Sequence, residues 1–205
     1  DFRKAFDSVV HCKLWQVLRK NGLKGRMHNA IVSMYRVVKA RVRANGELTE
    51  SFECPRGVKQ GEVLSPALFS ILINELAKSI IENGRHGIQL APDIVQILIL
   101  MFADDIILTS DTVNGLQNQL NVLYRSSKEL GLSLNLSKSK IIVFRNGGFL
   151  SQFEKWVYGN QPVEVVNVYK YLGINFTTRL SFGALAEDVA TRAKKCVIEI
   201  FKTLW

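Results

Sequence analysis

Apolar residues recur every three to four positions along 12–20 and 26–38, mixed with Lys and Arg. Both stretches predict helices, broken around Asn21-Gly22 and Gly25. The period then drops to two. Residues 40–44 and 48–54 flank Asn45-Gly46, a pair that predicts a hairpin with a two-residue turn of positive φ. Helical spacing returns at Leu68, Ile71, Leu72, Leu76 and Ile80. It predicts a helix over 66–82, capped by Ser65 and opened by Pro66 at its first position. Two apolar runs, 94–102 and 106–108, predict buried strands of an acidic hairpin spanning 94–110. A helix over 113–130 stops at Gly131. Beyond it the pattern predicts a short strand at 141–144, a strand pair from 163–166 and 169–176, and a closing helix over 183–204 that carries Arg192, Lys194 and Lys195. No internal repeat, low-complexity tract or linker interrupts the chain. Irregular alternation of hairpins and helices predicts an α+β fold rather than a doubly wound parallel sheet.

Composition narrows this picture. With 205 residues, 47% of them hydrophobic, the chain suits one substantial domain, alone or with an appendage, and is not generically disordered. No apolar run reads as long enough to span a bilayer, and no signal peptide opens the sequence. Cys12, Cys54 and Cys196 are far apart and odd in number. They make no metal pattern and read as reduced, intracellular thiols. The net charge is +9, and residues 1–43 account for it, with 11 Lys or Arg against Asp1 and Asp7. Such a basic block suits a polyanion such as nucleic acid. The plainer reading is a solvated basic helical face. The chain begins on Asp1 without an initiator Met, which points to a fragment of a longer protein.

The candidate chemistry centres on Phe102-Ala103-Asp104-Asp105. Two like charges at the tip of a core hairpin repel each other and lose water. A bound cation removes that penalty, and hard carboxylate oxygens with no neighbouring His or Cys favour Mg²⁺ or Mn²⁺ over zinc. The alternative is a solvated, inert Asp-Asp turn.

Four further segments stand in a fixed order around this one. Asp1-Phe2-Arg3-Lys4-Ala5-Phe6-Asp7 opens the chain. Pro55-Arg56-Gly57-Val58-Lys59-Gln60-Gly61 runs on through Glu62-Val63-Leu64-Ser65-Pro66. After the acidic hairpin come Gly131-Leu132-Ser133-Leu134-Asn135-Leu136-Ser137-Lys138-Ser139-Lys140 and then Tyr169-Lys170-Tyr171-Leu172-Gly173. Each is weak alone; together, in order, they are specific. The chain resembles the palm of a reverse transcriptase, specifically the non-LTR (LINE-type) retrotransposon branch, over nearly its whole length.

That resemblance implies a right-hand polymerase palm: an antiparallel sheet with helices packed on one face, a partial fingers hairpin near 40–60, and the start of the thumb. The palm would occupy 1–176 and the thumb helix would begin in 177–205. It implies an RNA-directed DNA polymerase, a nucleotidyltransferase of EC class 2.7.7, that uses two Mg²⁺ or Mn²⁺ ions to neutralise an in-line phosphoryl transfer. Asp1 and Asp104 would bridge the metals, Asp105 would add a ligand or local charge, and the Phe2 carbonyl would complete one shell. Asp7 reads better as a helix-start acid. Ala5 and Phe6 would lie under the nucleotide, with the Phe6 ring excluding a 2′ hydroxyl. Gln60 and Gly61 would lie against the incoming nucleotide and template base, Gly61 allowing close backbone approach. Arg56 and Lys59 read equally as phosphate contacts or as surface charges. Lys138 would protonate the diphosphate leaving group. Lys140 is its rival, since strand alternation would point both the same way. Tyr171, Leu172 and Gly173 match the primer-grip turn; the plain alternative is a strand with a Gly bulge. Lys194 and Lys195 would meet duplex phosphates without reading sequence.

The chain departs from the family pattern where the first motif begins at its aspartate. The strand leading into it and the upstream fingers segments are expected to be missing, the thumb to be truncated, and the isolated piece to polymerise poorly. Expected partners are an RNA template, a DNA primer or target, dNTP and the rest of a parent polyprotein, with no membrane. The implied life cycle is cytoplasmic translation followed by reverse transcription at nuclear DNA. Two alternatives stand beside this reading: a group II intron maturase-like reverse transcriptase, and a non-catalytic nucleic-acid-binding remnant. Retention of Asp1, Asp104, Asp105, Gln60 and Lys138 argues against the remnant.

Overall fold

A computed structural model describes residues 1–89, 96–181 and 183–204. The described chain divides into two compact units, Asp1–Lys138 with Trp156–Gln161, and Ser139–Lys155 with Pro162–Trp205. The fold mixes helices with short antiparallel strand pairs, as the α+β reading expects.

The first unit opens with a one-turn helix, α1 (Ala5–Ser8), then α2 (His11–Lys20) and α3 (Gly25–Met34). α3 ends four residues short of the expected 38. Tyr35 turns into the core, where it is buried, and the β-branched pair Val37-Val38 leads into an extended segment, as such residues prefer. There β1 (Lys39–Ala40) pairs with β4 (Phe52–Glu53), and β2 (Arg43–Ala44) pairs with β3 (Glu47–Leu48). Asn45 (φ +51°) and Gly46 (φ +88°) form the two-residue turn that the dipeptide predicts.

The central element is α4 (Leu64–Asn83). Its cap position is Val63, not Ser65, and no side chain caps it. Ser65 is instead buried inside the first turn, its Oγ 3.3 Å from the Tyr35 hydroxyl. Pro66, now the third helical residue, is tolerated because the first turn's N–H groups have no intrahelical acceptor. By length and composition alone α4 could cross a membrane, contrary to the expectation that no run is long enough. Seven of its residues are nonetheless buried, Leu68, Leu72, Leu76 and Ile80 at 1% exposure or less.

β5 (Ile88–Gln89) pairs with β6 (Gln96–Ile97), and β7 (Ile99–Phe102) pairs with β8 (Asp105–Leu108). Residues 94 and 95, the start of the expected apolar strand, lie outside the described residues. β7 is half-buried rather than buried, since Leu100 and Phe102 face solvent. α5 (Val113–Leu130) is capped by the Thr112 hydroxyl, which accepts from Gly115 N–H at 3.1 Å, and ends at Gly131 (φ +76°). Its Gln119 is fully buried and donates to the carbonyls of Thr109 (2.9 Å) and Arg85 (3.1 Å), so α5 anchors the exit of the β7–β8 hairpin. β9 (Trp156–Tyr158) lies against α5, where the Trp156 Nε1–H donates to Val113 O at 2.9 Å.

α2 and α4 are tied together by Glu75, which accepts from Lys20 (2.5 Å), Lys78 (2.7 Å) and Asn21 (3.1 Å). Burial pushes the Glu75 carboxyl up, but the hydrogen bonds from Lys20, Lys78 and Asn21 outweigh it and hold it at about 2 against an ordinary 4.5. A depressed folded-state value means that the stabilisation is full above 4.5 and fades as the pH falls toward 2. In urea denaturation the gap in stability between wild type and Glu75→Gln should be largest near neutral pH and close between pH 4.5 and 2. A gap that stays constant with pH would contradict this.

The second unit holds less regular structure than the pattern predicts. Instead of a strand at 141–144 there is one parallel bridge, Ile141 with Val165. β10 (Gln161–Val163) precedes a hairpin of β11 (Val168–Tyr171) and β12 (Ile174–Thr177). The expected pairing of 163–166 with 169–176 is thus replaced by a hairpin folded inside 168–177. Leu172 (φ +47°) and Gly173 (φ +83°) form its two-residue turn, so Gly173 marks a turn and not a bulge. α6 (Gly183–Leu204) matches the closing helix.

Candidate active site

The acidic pair sits where a tight turn places it. Phe102 pairs with Asp105 across the β7–β8 ladder, leaving Ala103-Asp104 as a two-residue turn. Ala103 has φ +53°, a left-handed conformation that costs a non-glycine residue about 1–2 kcal/mol. Asp104 and Asp105 are both half-buried.

Asp1 reaches the same region from another segment. Arg3 N–H donates to Ser133 O (2.8 Å), and Asn135 N–H donates to Asp1 O (2.9 Å), around an antiparallel bridge between Phe2 and Leu134. Phe2 and Leu134 are therefore a non-hydrogen-bonded pair, and the Phe2 N–H and C=O point to the opposite edge. The Phe2 ring is buried in the core, which fixes the backbone beside Asp1. Directly after the bridge the chain turns, with Lys138 N–H donating to Asn135 O (3.1 Å). That turn brings the Lys138 Nζ to 3.2 Å from the Asp1 carboxylate. Lys140 takes a different partner, Glu164, at 2.5 Å. Strand alternation does not apply through a turn, so the two lysines separate.

Asp105, Asp104 and Lys138 lie within electrostatic reach of the Asp1 backbone nitrogen. Among the described residues no three His, Cys, Asp or Glu side chains converge as a metal cluster. The donor set nonetheless consists only of hard oxygens, which suits Mg²⁺ or Mn²⁺. The Asp1 carboxylate is ion-paired with Lys138.

Ala5, Phe6, Gln60 and Gly61 gather on a second platform in the same unit. Ala5 is buried and Phe6 is half-buried in α1. The Phe6 ring stacks on Phe69 of α4, with centroids 4.6 Å apart and planes at 25°. The 57–61 loop lies along α1: Gly57 N–H donates to Val9 O (2.8 Å), Val58 N–H to Phe6 O (2.9 Å), and the Gln60 amide to Asp7 Oδ1 (3.3 Å). Asp7 is thus an exposed acceptor for Gln60. Gly61 has φ +87°, and nothing lies within 4 Å of where a Cβ would be. Glycine is needed there for conformation, and the space beside it is open. Lys59 bonds Glu62 at 2.9 Å and sits 5.7 Å above the Tyr35 ring, while Arg56 is exposed. Tyr171, Leu172 and Gly173 form the hairpin turn of the second unit.

Sequence reasoning missed an aromatic cluster of His11, Trp15 and Tyr35 that contacts this loop. The only signal was the i, i+4 spacing of His11 and Trp15 on α2, which places them on one face; Tyr35 carried none.

Residues 1–176 match the family described as reverse transcriptase (RNA-dependent DNA polymerase). The chain is 30% identical over 186 residues to a retrovirus-related Pol polyprotein from the type-1 retrotransposable element R2 of Nasonia vitripennis, covering 87% of the chain and 18% of that relative. It is 26% identical over 201 residues to a probable RNA-directed DNA polymerase from transposon X-element of Drosophila melanogaster, covering 95% and 21%. It is 27% identical over 188 residues to the RNA-directed DNA polymerase from mobile element jockey of Drosophila funebris, covering 89% and 19%. The chain spans less than a third of the length of the curated relatives it matches.

Proposed function

This chain belongs to the reverse transcriptase (RNA-dependent DNA polymerase) family, in its non-LTR retrotransposon branch, and from that premise we propose that it extends a DNA primer on an RNA template. The observation that best supports the reading is the Asp1–Lys138 ion pair at 3.2 Å beside the Phe2–Leu134 bridge, in the same unit as the tight turn that carries Asp104 and Asp105. In this reading 1–176 forms the palm, with a fingers hairpin near 40–60, and α6 begins the thumb. The reaction is a nucleotidyl transfer of EC class 2.7.7. Its partners are template RNA, primer or target DNA, dNTP and the rest of a Pol polyprotein; translation is cytoplasmic and copying occurs at nuclear DNA.

Asp1, Asp104 and Asp105, with the Phe2 carbonyl, would hold two divalent ions. Bound there, such ions neutralise charge on the transferring phosphate and activate the primer 3′ oxygen. The protein's own groups contribute mainly position and electrostatics. Phe6, braced by Phe69, lies under the sugar and excludes a 2′ hydroxyl. Gln60 and Gly61 border the incoming nucleotide, and Arg56 and Lys59 favour phosphate nearby. Tyr171, Leu172 and Gly173 hold the primer end. Lys138 donates its ammonium proton to the diphosphate oxygen released when the α–β phosphoanhydride bond breaks.

The last assignment separates two lysines by experiment. Lys138→Ala should slow single-turnover dTMP incorporation about a hundredfold, while Lys140→Ala, which loses only its contact to Glu164, should stay close to wild type. Equal losses in both variants would overturn the assignment of Lys138.

A further inference from the structure

We infer that His11 is a positioning residue for the Gln60-Gly61 loop, holding it where the incoming nucleotide is read. The inference rests on the reading above that Gln60 and Gly61 border the nucleotide.

The loop is fixed at its two ends. At the start, the His11 Nε2 lies 2.7 Å from the Gly57 carbonyl. A carbonyl only accepts, so Nε2 carries the hydrogen and donates. This is a side-chain tether reinforcing the backbone bonds from Gly57 to Val9 and from Val58 to Phe6. Gly57 also runs close to the Asp7 backbone, which an added Cβ would approach to 3.0 Å, so the start of the loop is held between α1 and the His11 tether.

At the far end, Ser65 in the first turn of α4 meets the Tyr35 hydroxyl at 3.3 Å. The same Tyr35 packs edge-on against His11, with centroids 5.4 Å apart at 71°. Trp15 contacts both, at 5.6 Å from His11 and 5.7 Å from Tyr35. One aromatic post therefore carries both tethers, and the segment strung between them contains Lys59, Gln60 and Gly61. Aromatic pairs of this kind contribute beyond their buried area, and they fix the ring plane from which Nε2–H is aimed.

The test is steady-state dTTP incorporation on poly(rA)/oligo(dT), with the domain in flanking sequence of the extent its relatives carry. His11→Phe keeps a ring and loses the donor; His11→Gln restores a donor. Gln60→Ala reports on the underlying reading. His11→Phe should raise the dTTP KM about five- to tenfold, the worth of one hydrogen bond, with kcat and duplex affinity nearly unchanged, and His11→Gln should recover most of the loss. An unchanged KM in His11→Phe beside a raised KM in Gln60→Ala overturns the role of His11 alone. An unchanged KM in both overturns the nucleotide-side reading of Gln60 on which it rests. A fall in melting temperature matched by an equal fall in kcat, with no recovery in His11→Gln, reduces His11 to a structural residue and also overturns the inference.

Discussion

Asp104→Asn should lower Mg²⁺-dependent dTMP incorporation by about a thousandfold or more. Asparagine is nearly isosteric with aspartate and tolerates turns, so the two-residue loop between Phe102 and Asp105 should survive. What disappears is one negative charge in a half-buried position, where a cation's attraction is stronger than in bulk water. The transfer has little covalent chemistry for the protein to perform, so in the proposed mechanism loss of a charge that would hold metal removes most of the rate. Single-turnover extension in Mg²⁺, beside duplex-binding and melting measurements, separates the two effects. A variant that binds duplex and melts normally but extends within tenfold of wild type would remove Asp104 from the mechanism.

Phe69→Ala should cost about 3–5 kcal/mol of stability. Phe69 is 1% exposed, and its ring is the surface on which Phe6 stacks. Truncation leaves a cavity beneath α1 and takes away the support of the Phe6 ring. Phe69→Leu, which keeps most of the volume, should lose about 1 kcal/mol. Urea denaturation measures both. In the flanked protein the preference for dTTP over UTP should also narrow in Phe69→Ala, because an unsupported Phe6 gives way to a 2′ hydroxyl. A loss below about 1 kcal/mol in Phe69→Ala would show that the site collapses without cost.

Sequence reading succeeded where a local rule decides the structure. Asn45-Gly46 dictates its turn, Gly131 ends α5, and the spacing of Leu68, Leu72, Leu76 and Ile80 gives the buried face of α4. The family was legible because five segments stand in order, and the comparison over residues 1–176 agrees.

It failed where tertiary contacts overrule local preference. Ser65 has the right identity for a cap, yet burial beside Tyr35 gives its hydroxyl another use. The apolar run at 141–144 reads as a strand, but it makes only one bridge, at Ile141. The 168–177 hairpin was hidden from the residue pattern because Leu172-Gly173 lacks the Asn or Asp that usually announces such a turn; only the resemblance pointed to a turn there. Lys138 and Lys140 are inseparable by period, since a turn at Asn135–Lys138, not an extended strand, decides which one meets Asp1. The His11 tether depends on two rings of α2 and on Tyr35, which follows α3, and no spacing along the chain brings Tyr35 to that pair.

In the proposed function Asp1, Asp104, Asp105 and Lys138 together serve template-directed polymerisation. The most direct measurement is dTMP incorporation on poly(rA)/oligo(dT) by the domain in its flanking sequence, with Mg²⁺ or with EDTA. Primer extension is expected in Mg²⁺, requiring the poly(rA) strand and stopping in EDTA. A folded protein that binds the duplex tightly and extends nothing in Mg²⁺ or Mn²⁺ would contradict it, and would leave a nucleic-acid-binding remnant in its place.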